Sequence, residues 1–161
     1  MLISEKLNAA LNHQIGHEFG NELQYIAIAA YFEDERLFTL AKIFYDQAKD
    51  EHEHGMKIIK FLLDTDAKVE IPATRQVRNT FSSAEDAAQA ALDLEAETTS
   101  MVNDLMTMAI EEKNYMTSVF LQWFVTEQLE EMATASDRVA VIKRAGPAIL
   151  MVEAYLIHHG K

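Results

Sequence analysis

The amino-acid sequence predicts an all-α fold: a four-helix bundle with one long crossover between helices two and three, plus a short C-terminal fifth helix. Three observations predict it. Apolar residues recur at three- and four-residue intervals through four long stretches, the period of a helix with one buried face. Only 5 Gly and 2 Pro occur in 161 residues, too few for the repeated turns of a β-sandwich or an α/β protein. One segment of about 16 residues, Ala67–Ser82, contains Pro72 and no helical stripe.

The first helix is expected from Ser4, a fitting N-cap, to Asp34, with the stripe Leu7, Leu11, Ile15, Tyr25 and Ala29. The second runs from Phe38 to Asp64 through Leu40, Phe44, Gln47, Glu51, His54, Ile58 and Phe61. The third starts near Ser82, where Ser82 with Glu85, or Ser83 with Asp86, resembles a capping box, and continues to Lys113. Its stripe is Ala91, Glu95, Thr98, Val102, Leu105 and Ala109. The fourth spans Tyr115–Arg144 through Leu121, Phe124, Gln128, Glu131, Ala135, Val139 and Ile142. Gly146 stops it, and Pro147 suits the first position of a fifth helix over 147–158. That last segment is apolar nearly all round, which hints at subunit assembly. His158 and His159 are expected in a disordered tail.

Short turns around Glu35–Leu37 and at Asn114 make two antiparallel hairpins. Extended at ~3.3 Å per residue, the Ala67–Ser82 segment reaches ~50 Å, whereas a helix of about 28 residues is ~42 Å long. The linker can therefore cross the whole bundle and leave helices two and three parallel, in one domain over 1–161.

Composition narrows the function. The absence of Cys excludes disulfide scaffolds, thiolate metal sites and thiol nucleophiles. A net charge of −12 argues against nucleic acid and anionic membrane as partners, and for cations. No secretory signal is evident at Met1–Glu5, and no apolar run approaches the ~20 residues of a membrane span, so a cytoplasmic protein is expected.

The informative feature is what interrupts the stripes. Glu18 and Glu22 fall between Ile15 and Tyr25; Glu51 and His54 occupy consecutive stripe positions on helix two; Glu95 interrupts helix three, and Gln128 and Glu131 interrupt helix four. Glu22 by itself reads as a misassigned outer-face residue. The others lie near the middle of their helices and converge at one depth. Burying one unpaired carboxylate costs several kcal/mol, and gathering several adds like-charge repulsion. No Lys or Arg interrupts the stripes at that depth, since Arg138 is two turns away. Either the carboxyl groups are protonated or a multivalent cation sits among them. Several carboxylates, one imidazole and no sulfur suit iron or manganese before copper or zinc. Glu51-x-x-His54 offers two ligands from one helical face, an arrangement known from di-iron helix bundles. Tyr25 is a core aromatic bonding a carboxylate or a redox group. Trp123 and the Met residues read as packing, His13 and His17 as solvated, and Lys42, Lys49, Lys57 and Lys60 as an outer face.

At these residues the sequence resembles the bacterial non-haem ferritins. The resemblance runs over almost the whole chain and is most specific in Asp50-Glu51-His52-Glu53-His54 and in the segment Phe120–Glu131. It implies a ferritin-like shell of 24 subunits that oxidises Fe(II) with O2 or H2O2 and stores it as a ferric mineral. By resemblance, Glu18, Glu51 and His54 hold the first iron, with Glu51 bridging. Glu95 and Gln128 hold the second, with Glu131 in or beside that shell. Glu127 and Glu130 resemble an additional iron site, completed in that family by a Glu where this chain has Asp50. Bacterioferritins carry a His at the position of Glu131 and a haem-ligating Met at that of His52, so no haem is expected. A rubrerythrin-like diiron peroxidase and a non-catalytic helical scaffold are the rival readings. Gln128 and the missing Cys module count against the peroxidase, and a Dps-like protein is disfavoured by the apolar fifth helix.

Overall fold

The computed structural model describes residues 1–159, and every regular element among them is a helix: α1 (Glu5–Asp34), α2 (Phe38–Asp64), α3 (Ala84–Glu111), α4 (Tyr115–Ala145) and α5 (Ile149–His159). The last two residues of the expected 1–161 domain lie outside the described part. Side chains cap three helix starts, satisfying backbone donors that have no partner within the helix. Ser4 Oγ accepts from Leu7 N–H at 3.0 Å, Ser83 Oγ from Asp86 N–H at 3.0 Å, and Asn114 Oδ1 from Thr117 N–H at 3.1 Å. Ser83 with Asp86 is therefore the cap of α3, which begins at Ala84 rather than Ser82. The fourth start is capped from a distance. Leu37 offers α2 no side-chain acceptor, and Glu153 of α5 accepts from Thr39 N–H at 2.9 Å and Leu40 N–H at 2.8 Å.

Two expectations at the C-terminal end need correction. Pro147 lies in the turn after Gly146, and α5 starts at Ile149, because Ala148 N–H is still bonded back to the Ala145 carbonyl at 3.0 Å. His158 and His159 are part of α5, with the His159 ring 4.7 Å from that of Tyr155, so they do not form a tail.

The chain path follows from which residues share a core. One apolar cluster joins Tyr25, Ile28 and Phe32 of α1 to Leu40 and Phe44 at the start of α2, Ala87 and Ala91 at the start of α3, and Val139 and Ile142 at the end of α4; Val152 and Leu156 of α5 close it. The other joins Leu7, Leu11 and Ile15 to Ile58 and Leu62, Val102 and Leu105, and Leu121 and Phe124. Helices α2 and α3 both run from the first cluster to the second, so they are parallel, as the linker length predicts. The α2 stripe ends on Leu62 rather than Phe61, which is half-buried and stacks on Phe120 at 4.0 Å.

The crossover, residues 67–83, runs back along α1 and is laced to it in register. Asn12 Nδ2 donates to the Lys68 carbonyl at 2.8 Å, and Asn12 Oδ1 accepts from Glu70 N–H at 2.7 Å. Pro72 lies directly on Gly16, where a Cβ would collide with its ring. Gln24 brackets Arg78, donating to its carbonyl and accepting from its N–H, both at 2.8 Å. Polar and glycine residues on α1 thus serve a second buried face, beside the apolar stripe. No described helix is long and apolar enough to cross a membrane.

Candidate metal centre

Between the two apolar clusters lies a polar layer to which all four bundle helices contribute. Glu18, Glu51, His54, Glu95 and Gln128 are buried, and Glu131 is half-buried with its Oε2 fully shielded. The ligand atoms of Glu18, Glu51 and His54 lie within 4.8 Å of one another, and so do those of Glu51, Glu95 and Glu131. Glu51 belongs to both groups. His54 Nδ1 stands 3.7 Å from Glu18 Oε2 and 3.8 Å from Glu51 Oε1. Gln128 Nε2 donates to Glu95 Oε2 at 3.2 Å and to Thr99 Oγ1 at 3.1 Å.

Surrounding groups occupy some carboxylate oxygens and leave others open. Gln14 donates to Glu18 Oε1 at 2.6 Å, Gln47 to Glu131 Oε1 at 3.0 Å, Asn21 to Glu51 Oε2 at 3.2 Å, and the Tyr25 hydroxyl to Glu95 Oε1. Glu18 Oε2 and Glu131 Oε2 are buried with no hydrogen-bond partner among the described residues. A shielded carboxylate oxygen without a donor is costly in a neutral core. It is what a cation site would leave free for its ligand.

The charges are mutually frustrated. Burial and then the Glu18, Glu95 and Glu131 carboxylates push the Glu51 carboxyl well above its ordinary range. Burial and Glu95 push Glu131 up to about 9. Burial also raises Glu18, but His54, Glu51 and Gln14 outweigh it, so Glu18 ends below its usual value. Burial and the Glu95 charge hold the Tyr25 hydroxyl protonated well above its normal range, which suits a donor to Glu95. Arg138, two turns along α4 from Glu131, is half-buried. Its guanidinium lies 5.4 Å from the Phe44 ring centroid, and burial lowers its pKa against the fields of Tyr25, Glu95 and Glu131.

The remaining expected residues separate. Glu127 is half-buried and joins His54 and Glu131 in a third group within 4.8 Å. Glu130 and Asp50 are exposed and fall outside these groups, because each sits on a helix side turned away from its buried neighbour, Gln128 or Glu51. Glu22 is half-buried and pairs with exposed His52, its Oε2 3.2 Å from Nδ1. Trp123 sits edge-on to His54 with centroids 5.3 Å apart and carries Lys57 Nζ at 4.3 Å over its ring. His17 is not solvated as expected. It is half-buried, bonds Thr98 Oγ1 at 2.7 Å, and burial lowers its pKa. Asn21, Gln14 and Arg75 went unread as parts of the site. The first two sit i+3 and i−4 from Glu18, a signal that was available; Arg75 lies in a linker with no periodicity to read.

Comparison with known proteins places the chain and its fold. A family model described as a ferritin-like domain matches residues 8–145. Ferritin BfrB of Mycobacterium tuberculosis is 41% identical over 151 residues, covering 94% of this chain and 83% of that protein. A bacterial non-heme ferritin of Staphylococcus aureus is 35% identical over 145 residues, covering 90% and 87%. An open pore ferritin from the archaeon Archaeoglobus fulgidus superposes with a TM-score of 0.92 at 32% identity, covering 96% of each chain. A bundle with this crossover, carrying carboxylates where its helices should be apolar, thus has relatives along nearly its whole length, and the chain belongs to the ferritin family.

Proposed function

We propose that this ferritin oxidises Fe(II) with O2 or H2O2 at a diiron centre inside each subunit and stores the product as a ferric mineral within a closed shell in the cytoplasm. Iron is substrate and cargo here. The observation that carries the reading is the sharing of Glu51 between two ligand groups. Glu18 and His54 would complete the first iron site, and Glu95, Gln128 and Glu131 the second. Two Fe(II) ions supply two electrons together, which reduce O2 to H2O2 or H2O2 to water. Anionic carboxylates favour the Fe(III) product over Fe(II) and so draw the oxidation forward. Gln128 gives the second site a neutral amide, so its iron binds more weakly and exchanges. Iron then passes through rather than remaining.

The exposed apolar face of α5, where Leu150 and Met151 are each 71% accessible, supports assembly with further copies, by family resemblance a 24-subunit shell. Glu127, beside His54 and Glu131, supports an additional iron position, to which Glu130 and Asp50 would contribute only after moving inward. His52 replaces the haem-ligating Met, so haem-replete expression should give protein without a Soret band. The deciding experiment is stopped-flow Fe(II) oxidation by Glu18→Ala and His54→Ala, with circular dichroism and size-exclusion confirming intact protein. Both should lose the rapid phase; oxidation at the parent rate in both would move the site elsewhere.

A further inference from the structure

The crossover reaches the metal centre through one side chain, Arg75, to which the diiron reading assigns no role. Arg75 Nη2 donates to Asn21 Oδ1, and its Nη1 donates to Glu97 Oε2 of α3 at 2.7 Å. Asn21 is fully buried, and its Nδ2 donates to Glu51 Oε2 at 3.2 Å and to Thr98 Oγ1 at 3.0 Å. A guanidinium has no acceptor. Arg75 therefore decides which way the Asn21 amide faces, oxygen outward to the crossover and NH2 inward to Glu51. Thr98 agrees with that choice. Its hydroxyl donates to the Leu94 carbonyl at 2.9 Å, which leaves its oxygen to accept from Asn21 and from His17 Nε2 at 2.7 Å. The reversed amide would set an oxygen against the Glu51 carboxylate.

A carboxylate shared by two cations must offer one oxygen to each. Asn21 holds Glu51 Oε2, while Oε1 faces His54 at 3.8 Å and Gln47 at 3.4 Å. We propose that Arg75, acting through Asn21, is a positioning residue that fixes the Glu51 carboxylate for paired cation occupancy, so that the seating of the crossover on α1 and the pairing of the cations are linked. Gly16 makes that seating possible, since a Cβ there would strike the Pro72 ring. The inference rests on the diiron reading and adds to it the device that orients the shared ligand.

Loss of an outer hydrogen bond at a metal site typically costs ten- to a hundredfold in affinity. Here the loss falls on the pair rather than on the first ion, because Glu18 and His54 keep their own partners. The Arg75 side chain is 36% exposed, so its replacement leaves no buried void. The test is anaerobic titration of the assembled protein with Co(II), whose visible absorption reports coordination without redox chemistry. The parent should take up two equivalents per subunit. Arg75→Ala should bind the first as the parent does and the second about tenfold more weakly. Arg75→Lys, which keeps a donor, should fall between, and Asn21→Leu should repeat the loss with no further effect of Arg75→Ala in the double variant. If Arg75→Ala binds both equivalents like the parent, the inference is wrong while the site stands. If both equivalents weaken together in step with Tm, Arg75 merely ties down the crossover, and the inference is equally wrong. A parent chain that binds no paired Co(II) removes the diiron reading and this inference with it.

Discussion

Glu51 and Glu131 carry the tension of the molecule. Both are carboxyl groups that burial and neighbouring charge hold protonated, Glu131 up to about 9 from an ordinary 4.5. A group whose folded-state pKa is raised contributes stability that is complete below its unfolded value and is lost as pH rises through the folded value. The chelator-treated protein should therefore lose Tm progressively from about pH 4.5 to about pH 9, whereas Zn(II)-loaded protein should not. Binding must also displace those protons, since a metal ligand has to be ionised. Adding Zn(II), which is redox-inert, to unbuffered protein should release protons in a pH-stat, and Glu131→Gln should release fewer. Gln128 tests the second site from the opposite side. Gln128→Glu adds an anion to it and should slow the exchange of iron measured by dialysis against a ferrous chelator. These ligands were legible because each replaces an apolar residue at a helical stripe position. Asn21 and Gln14 carried a weaker signal, their i+3 and i−4 spacing from Glu18, since a polar residue beside a stripe looks like a boundary until the chain packed on the other side is known.

At the scale of the element, the helix ends are set by backbone closure as much as by sequence. Arg36, Asp66 and Lys113 all have positive φ, and the N–H of the residue after each bonds back to Phe32, Leu62 or Ala109, five residues earlier, at 2.8–2.9 Å. This closure ordinarily favours Gly, and the left-handed conformation costs a side-chain-bearing residue roughly 1–2 kcal/mol. Lys113→Gly should consequently stabilise the protein by about 0.5–1 kcal/mol, read from denaturant midpoints. Gly16 predicts the reverse. Alanine in mid-helix would gain about 1 kcal/mol in propensity, but its Cβ would drive into the Pro72 ring. Overpacking of that kind costs about 1–3 kcal/mol, so Gly16→Ala should destabilise and loosen the crossover, seen as faster amide exchange over 70–79. The four bundle helices and their polarity were readable from stripes and linker length. The path of the crossover was not, because Asn12, Gly16, Asn21 and Gln24 serve a face whose partner has no periodic pattern of its own.

Over the whole molecule, two apolar clusters enclose a slab of acids that neither could tolerate alone. The clusters hold the bundle together, and their separation sets the depth at which Glu18, Glu51, His54, Glu95, Gln128 and Glu131 meet. The outer side of α5 leaves Leu150, Met151 and Ile157 exposed, while Glu153 pins that helix to the start of α2. Everything functional depends on the acid slab being a binding site and not a protonated core. The most direct measurement is anomalous diffraction at the iron edge from a crystal exposed aerobically to Fe(II). Two peaks per subunit are expected, one bounded by Glu18, Glu51 and His54 and one by Glu51, Glu95, Gln128 and Glu131. An iron-free slab with its carboxyl groups hydrogen-bonded to one another, in protein that has taken up iron elsewhere, would contradict the assignment.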